Sequence, residues 1–203
     1  MIRVEAHPAP VDAHAAEADE RTVFGFWVYI LTDCVLFASL FATYVVLHGN
    51  TAGGPSGHQL FEMPYVLAET MALLASSFTC GLAMLAAVRG RTRLAVVALA
   101  LTFALGSTFL ALELSEFHHL AVISAGWSRS GFLSAYFILV GTHGLHITVG
   151  LLWMAVVAAR IWWSGLGRGE LRRLTLFGIF WHFLDLVWIF IFSVVYLMGA
   201  AHL

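Results

Sequence analysis

Phe180-Trp181-His182-Phe183-Leu184-Asp185-Leu186-Val187-Trp188 sets a histidine and a carboxylate inside a run that is otherwise apolar from about Leu174 to Met198. At a rise of ~1.5 Å per residue, that run crosses a hydrocarbon core of ~30 Å and reads as a membrane-spanning helix. An ionisable group at the centre of such a helix costs roughly 2.5–3.5 kcal/mol on insertion scales and needs a partner. His182 and Asp185 stand at i and i+3, on neighbouring turns of one face. Trp181, Asp185 and Trp188 follow the i, i+4, i+7 spacing, which makes this face bulky as well as polar. It is expected to meet protein, not lipid.

Composition places the whole chain in the same class. Of its 203 residues, 61% are hydrophobic and 11% charged, with a mean hydropathy of +0.88. Soluble domains carry about a quarter of their residues as charges. All ten basic residues are arginine; the net charge of -2 says nothing about nucleic acid, and no basic cluster is large enough to suggest it as a partner. Cys34 and Cys80 fall inside apolar runs, which argues against a disulfide framework. Residues 1–22 are rich in Ala, Asp, Glu and His with no apolar core, so they read as a polar cytoplasmic tail and not as a signal peptide.

Beyond that tail, residues 23–203 read as an all-α, polytopic bundle of five transmembrane helices. The spans fall at about 23–47, 65–88, 94–114, 132–160 and 174–199, with the third free to continue past Glu113. The connections are legible: Gly49 to Met63 with Gly53-Gly54-Pro55, the basic turn Arg89-Gly90-Arg91-Thr92-Arg93, Ser115 to Gly131, and Arg160 to Arg173. Nine of the ten arginines fall on one side of this pattern and Arg129 alone on the other. The positive-inside rule then puts the N-terminus in the cytoplasm and the C-terminus outside, as an odd number of spans requires.

Several ionisable groups lie within the spans. Asp33 is about ten residues into the first, ~15 Å deep by helix rise. Glu69 is roughly one turn into the second, and Glu113 closes the third. His143 and His146 stand at i and i+3 near the middle of the fourth. Together with His182 and Asp185 they admit several readings. They bridge helices by hydrogen bonds, with Gly141, Gly144, Gly150 and Gly178 permitting close approach; such bonds average ~0.6 kcal/mol. They hold a haem or metal, against which stands the lack of a further ligand at motif spacing. They form a proton or ion path, as in an independent transporter, although broken helices and repeats are missing. Or they meet lipid headgroups.

Taken together, four blocks resemble subunit III of the haem–copper terminal oxidases, most closely the cytochrome o ubiquinol oxidase branch. They are Phe24-Gly25-Phe26-Trp27 through Thr32-Asp33-Cys34; Gly53-Gly54-Pro55 with Pro64 and Glu69-Thr70; Glu113 and Glu116-Phe117-His118-His119 leading to Gly141-Thr142-His143-Gly144-Leu145-His146; and the opening stretch. They run in order over about residues 24–199. Subunits III of mitochondrial type have seven spans and a membrane glutamate where this chain has five spans and Asp33, which favours the quinol branch. The resemblance implies a non-catalytic subunit of the bacterial inner membrane. Haems and copper would reside in subunit I, the main partner, with subunits II and IV alongside. The helices would form a V-shaped cleft holding phospholipid. A subunit III-like component of a cytochrome c oxidase or of a nitric oxide reductase remains the alternative.

The arginine count generates a topological prediction. Reporter fusions after Arg91 and Arg168 are expected to be cytoplasmic, and those near Ser56, Trp127 and His202 external. A cytoplasmic C-terminus would mean that a span has been miscounted.

Overall fold

The computed structural model describes residues 10–53, 62–123, 126–197 and 199, with side chains from residue 20 onward. The Gly54-Pro55 turn, residues 1–9 of the polar tail, Ser56, Met198 and His202 lie outside the described residues. The helices are α1 (Pro10–Leu47), α2 (Met63–Val88), α3 (Thr92–Val122), α4 (Gly131–Ser164) and α5 (Arg168–Ile191), the last running on as a π-helical segment, Phe192–Leu197. No strand occurs among the described residues. Five helical stretches are long and apolar enough to cross a membrane, beginning at Glu20, Met63, Thr92, Gly131 and Arg168. The protein is all-α and multi-pass.

The helices overrun the apolar runs at several ends. The segment read as a polar tail is helical from Pro10 onward, in register with the first span. α3 continues to Val122, so Glu116, His118 and His119 are helical and do not belong to a connection. Helix hydrogen bonding does not stop where hydropathy does; polar residues of good helical propensity extend a span into the interface.

The chain divides into two compact units, Met1–Leu36 and Phe37–Leu203. In the first, Ile30 and Asp33, one turn apart, are the buried positions among the described residues. The second holds α2 to α5, and its packing centres on two tryptophans of α5. Trp181 and Trp188 are 1% and 0% exposed. The Trp181 indole N–H donates to Ser76 Oγ at 3.1 Å, and that of Trp188 to Thr70 Oγ1 at 3.0 Å. Each hydroxyl in turn donates back into α2, to the carbonyls of Leu73 and Val66, so every donor is satisfied without water. Phe109 of α3 meets Trp188 edge-on at 4.6 Å. Such a contact contributes about 0.5–1.5 kcal/mol beyond burial.

Space for the Trp181 ring comes from glycine. A Cβ on Gly106 of α3 would stand 2.9 Å from Trp181 Cζ2, and one on Gly150 of α4 2.9 Å from its Cζ3. The indole therefore lies between two helix backbones while its N–H reaches a third helix, a four-helix junction built around one side chain. α2 and α3 are also joined by a hydroxyl bond, Thr79 to Thr102, at 2.8 Å. The tight turn between them is a Schellman closure: Arg91 N–H bonds Ala86 O and Gly90 N–H bonds Ala87 O, both at 2.9 Å. Gly90 has φ +69°, a left-handed conformation that a side chain would disfavour.

Two substitutions test the glycine argument together. Gly150→Val is expected to lower the melting midpoint of the purified protein, since overpacking of this kind costs about 1–3 kcal/mol. Gly141→Ala should be tolerated, because its Cβ would meet Phe117 at an ordinary 3.7 Å.

Candidate functional site

Where α2 begins and α3 ends, acidic and phenolic side chains converge. Glu69 of α2 and Glu113 of α3 are 0% and 1% exposed, and none of their four carboxyl oxygens has a hydrogen-bond partner among the described residues. Their charges and that of Glu116, one turn after Glu113, are close enough to act on one another. Glu116 is satisfied: Tyr196 of the π-helical segment donates to its Oε2 at 3.0 Å, and Tyr136 of α4 bonds it as well. The two tyrosine hydroxyls are themselves 3.0 Å apart, and both side chains are fully buried. The wide π turn makes this possible by bringing the consecutive residues Val195 and Tyr196 inward together. The Tyr44 hydroxyl donates to the Val195 carbonyl at 3.4 Å.

Gly144 explains how a carboxyl fits between packed helices. A Cβ there would stand 2.6 Å from Glu113 Oε1, so the acid lies directly against the α4 backbone. A cleft of about 250 Å³ opens beside this cluster, lined by Glu62, Tyr65, Ser115, Glu116, His119 and Leu120. Glu116 thus belongs both to the cleft and to the tyrosine pair.

His143 and His146 sit among aromatic side chains and both border Phe37. His143 is fully buried, with ring centroids of Trp188 and Phe109 at 5.3 and 5.9 Å and neither nitrogen bonded among the described residues. His146 donates from Nδ1 to the Thr142 carbonyl at 2.7 Å, and Phe37 lies 5.3 Å from its ring. His182 is exposed on the surface of the chain, and its Nδ1 lies 2.7 Å from Ser77 Oγ of α2. Ser77 also bonds Asp185, which is half-buried. An imidazole N–H donating to Ser77, and Ser77 donating to one Asp185 oxygen, links the three groups in sequence, while Asp185 Oδ1 is buried without a partner among the described residues.

Asp33, in the first unit, is 6% exposed and bonds the Tyr29 hydroxyl one turn earlier. At the opposite end of the bundle from the acid cluster, Glu170 of α5 accepts from Arg160 at 3.2 Å and from Arg173 at 2.5 Å. Trp162 and Trp163, which follow Arg160 on α4, are 65% and 81% exposed. Among the described residues, no group of three or more His, Cys, Asp or Glu is placed to share a metal ion.

The residues singled out in the sequence thus fall into separate places. Glu69 and Glu113 act on one another; His182 and Asp185 meet through Ser77; His143 and His146 share Phe37 as a neighbour. Reasoning from spacing passed over Glu116, Tyr136, Tyr196 and Ser77. The i, i+3 spacing of Glu113 and Glu116 was a usable signal for the first. Nothing in the spacing marks the two tyrosines, which lie on different helices in apolar surroundings.

Residues 8–200 match the family model described as cytochrome c oxidase subunit III. The chain is 57% identical over 187 residues to the "Cytochrome bo(3) ubiquinol oxidase subunit 3" of Pseudomonas aeruginosa, covering 92% of this chain and 90% of that protein. It is 40% identical over 195 residues to the "Quinol oxidase subunit 3" of Bacillus subtilis, covering 96% and 95% of the two chains. A Bacillus "Cytochrome c oxidase subunit 3" is 39% identical over 198 residues, covering 98% and 96%.

The Ser77 relay yields its own test. Ser77→Ala leaves His182 and Asp185 without their shared hydroxyl, a loss of about 0.5–1.5 kcal/mol that should appear as a lower melting midpoint. Ser77→Thr retains the hydroxyl and should recover most of that loss.

Proposed function

Because the chain belongs to the cytochrome c oxidase subunit III family, we propose that it is the non-catalytic third subunit of a proton-pumping quinol oxidase. In that complex quinol is oxidised and dioxygen reduced to water. The observation that carries the proposal is the nearly end-to-end identity, 57% over 92% of this chain, to a protein named as a ubiquinol oxidase subunit 3. The similarity to a cytochrome c oxidase subunit is lower, at 39%. The alternatives of a nitric oxide reductase component and of an independent transporter are not favoured by these relatives. Membership of the family places the chain in a multi-subunit oxidase complex of the bacterial inner membrane.

The finer parts of the proposal concern partners and orientation. Subunit I, with the haems and copper, is the main partner, and subunits II and IV complete the assembly. The chain's role is to support the assembly and stability of subunit I and to bind phospholipid in a cleft. Exposed His182 beside half-buried Asp185 supports docking of a protein on the α2–α5 face, since lipid cannot satisfy these groups at membrane depth. Arginines concentrated at one end of the helices, with Trp162 and Trp163 exposed beside them, suit lipid phosphates and support a cytoplasmic N-terminus.

The His143 ring is enclosed by aromatic side chains and His146 is bonded to its own helix, so both read as packing groups. Asp33, Glu69 and Glu113 are read as buried polar groups, not as ligands.

Purification through a tag on this chain in mild detergent is expected to bring down a large haem-bearing subunit at fixed stoichiometry. A lone colourless protein that moves ions in vesicles would reverse the proposal. In the assembled complex, His143→Ala, His146→Ala and His182→Ala should each leave the haem and copper content unchanged. Loss of a haem signal at constant subunit composition would make the altered histidine a ligand.

A further inference from the structure

The carboxyls of Glu69 and Glu113 occupy a setting that neither packing nor subunit docking accounts for. Both are enclosed within the chain itself, on two different helices, and all four of their oxygens are unbonded among the described residues. A buried polar atom without a partner is destabilising, and an ionised one far more so. The groups facing them from each packed element are acids and phenols: Tyr65 on α2, Glu116 on α3, Tyr136 on α4 and Tyr196 after α5. The charged partners within reach are thus further carboxylates, and like charges cannot all be ionised in such a place. A neutral carboxyl, in contrast, is both a donor and an acceptor and can close a hydrogen-bonded chain with its neighbour through water.

We propose that Glu69 and Glu113 form a proton-holding site, loaded from the cleft beside Tyr65 and His119 through Glu116 and the Tyr136–Tyr196 pair. The ligand is a proton delivered as hydronium from the aqueous phase at that end of the bundle, which leaves as water once the carboxyl has taken the proton. Glu116 is the entry group, because it lines the cleft and also accepts the Tyr196 hydroxyl at 3.0 Å. The Tyr136–Tyr196 bond, at 3.0 Å, extends the chain inward from Glu116, and the last step to the unbonded carboxyls of Glu69 and Glu113 runs through water. Gly144 leaves the room that the Glu113 carboxyl needs against α4. The site does not depend on which electron donor the complex uses.

Infrared difference spectroscopy on the intact complex in lipid nanodiscs tests this. Near neutral pH, Glu69→Gln or Glu113→Gln should remove a C=O band of a protonated carboxylic acid that is present in the parent. Transfer to deuterated water should shift that band, and Glu116→Gln or Tyr196→Phe should slow the shift. Where a Gln variant does not assemble, Glu69→Asp or Glu113→Asp keeps the acid and should move the band without abolishing it. If these variants leave the protonated-acid region unchanged in complexes of normal subunit composition, the carboxyls are ionised and the proposal fails. If the band is present but its exchange rate is the same in Glu116→Gln and Tyr196→Phe, the loading route is overturned.

Discussion

The larger unit depends on one aromatic ring lying where a helix backbone would otherwise exclude it. Trp181 penetrates between Gly106 and Gly150 and hydrogen-bonds Ser76, so α2, α3, α4 and α5 share a single contact point. In a bilayer, helices gain nothing by hiding apolar surface from lipid tails, and association rests on close packing and interhelical hydrogen bonds. A large flat ring against small residues supplies the first, and an indole N–H on a hydroxyl supplies the second. Trp188 repeats the arrangement two turns later with Thr70 and Phe109. This pair sets the register of α5 against α2, and so decides which α5 residues face inward.

That register sorts the polar groups. Hydroxyls and indoles along the α2–α5 seam are mutually satisfied, which makes the seam a specific joint with little residual demand. His182 and Asp185, one step around α5, are left at the margin of the chain and find Ser77. The π-helical segment then turns Tyr196 back inward to Glu116, at the cost of a widened turn. Buried acids and phenols accordingly collect at one end of the bundle, and the arginine–glutamate contacts of α4 and α5 at the other.

This division lies within a chain of the oxidase subunit III family, a component of a multi-subunit complex. In this chain His143 lies among Phe37, Phe109 and Trp188, and Phe37 also borders His146. The relatives that share its full length carry oxidase subunit names, and the parts of the chain with unmet hydrogen-bonding demand lie both inside it and on its flank.

Much of this was legible in the sequence because the bilayer imposes a length and a polarity on each span. Runs of apolar residues predicted five helices and an all-α membrane protein, and the Trp-His-Phe-Leu-Asp and Gly-Thr-His-Gly-Leu-His blocks carried the family resemblance. Spacing along one helix also foretold that Trp181 and Trp188 share a face. It could not foretell that Asp185 and His182 leave that face for Ser77, nor that Glu116 is helical and joins Glu69, Glu113 and two tyrosines. Hydropathy and periodicity are properties of one segment and determine what crosses the membrane. Which side chains meet is decided by the rotation and register of neighbouring helices, and those follow from where Gly106 and Gly150 admit Trp181 and where the π turn adds a residue. Only the tertiary structure contains that information, because packing against another helix, not the residue's own position, decides whether a polar group is satisfied.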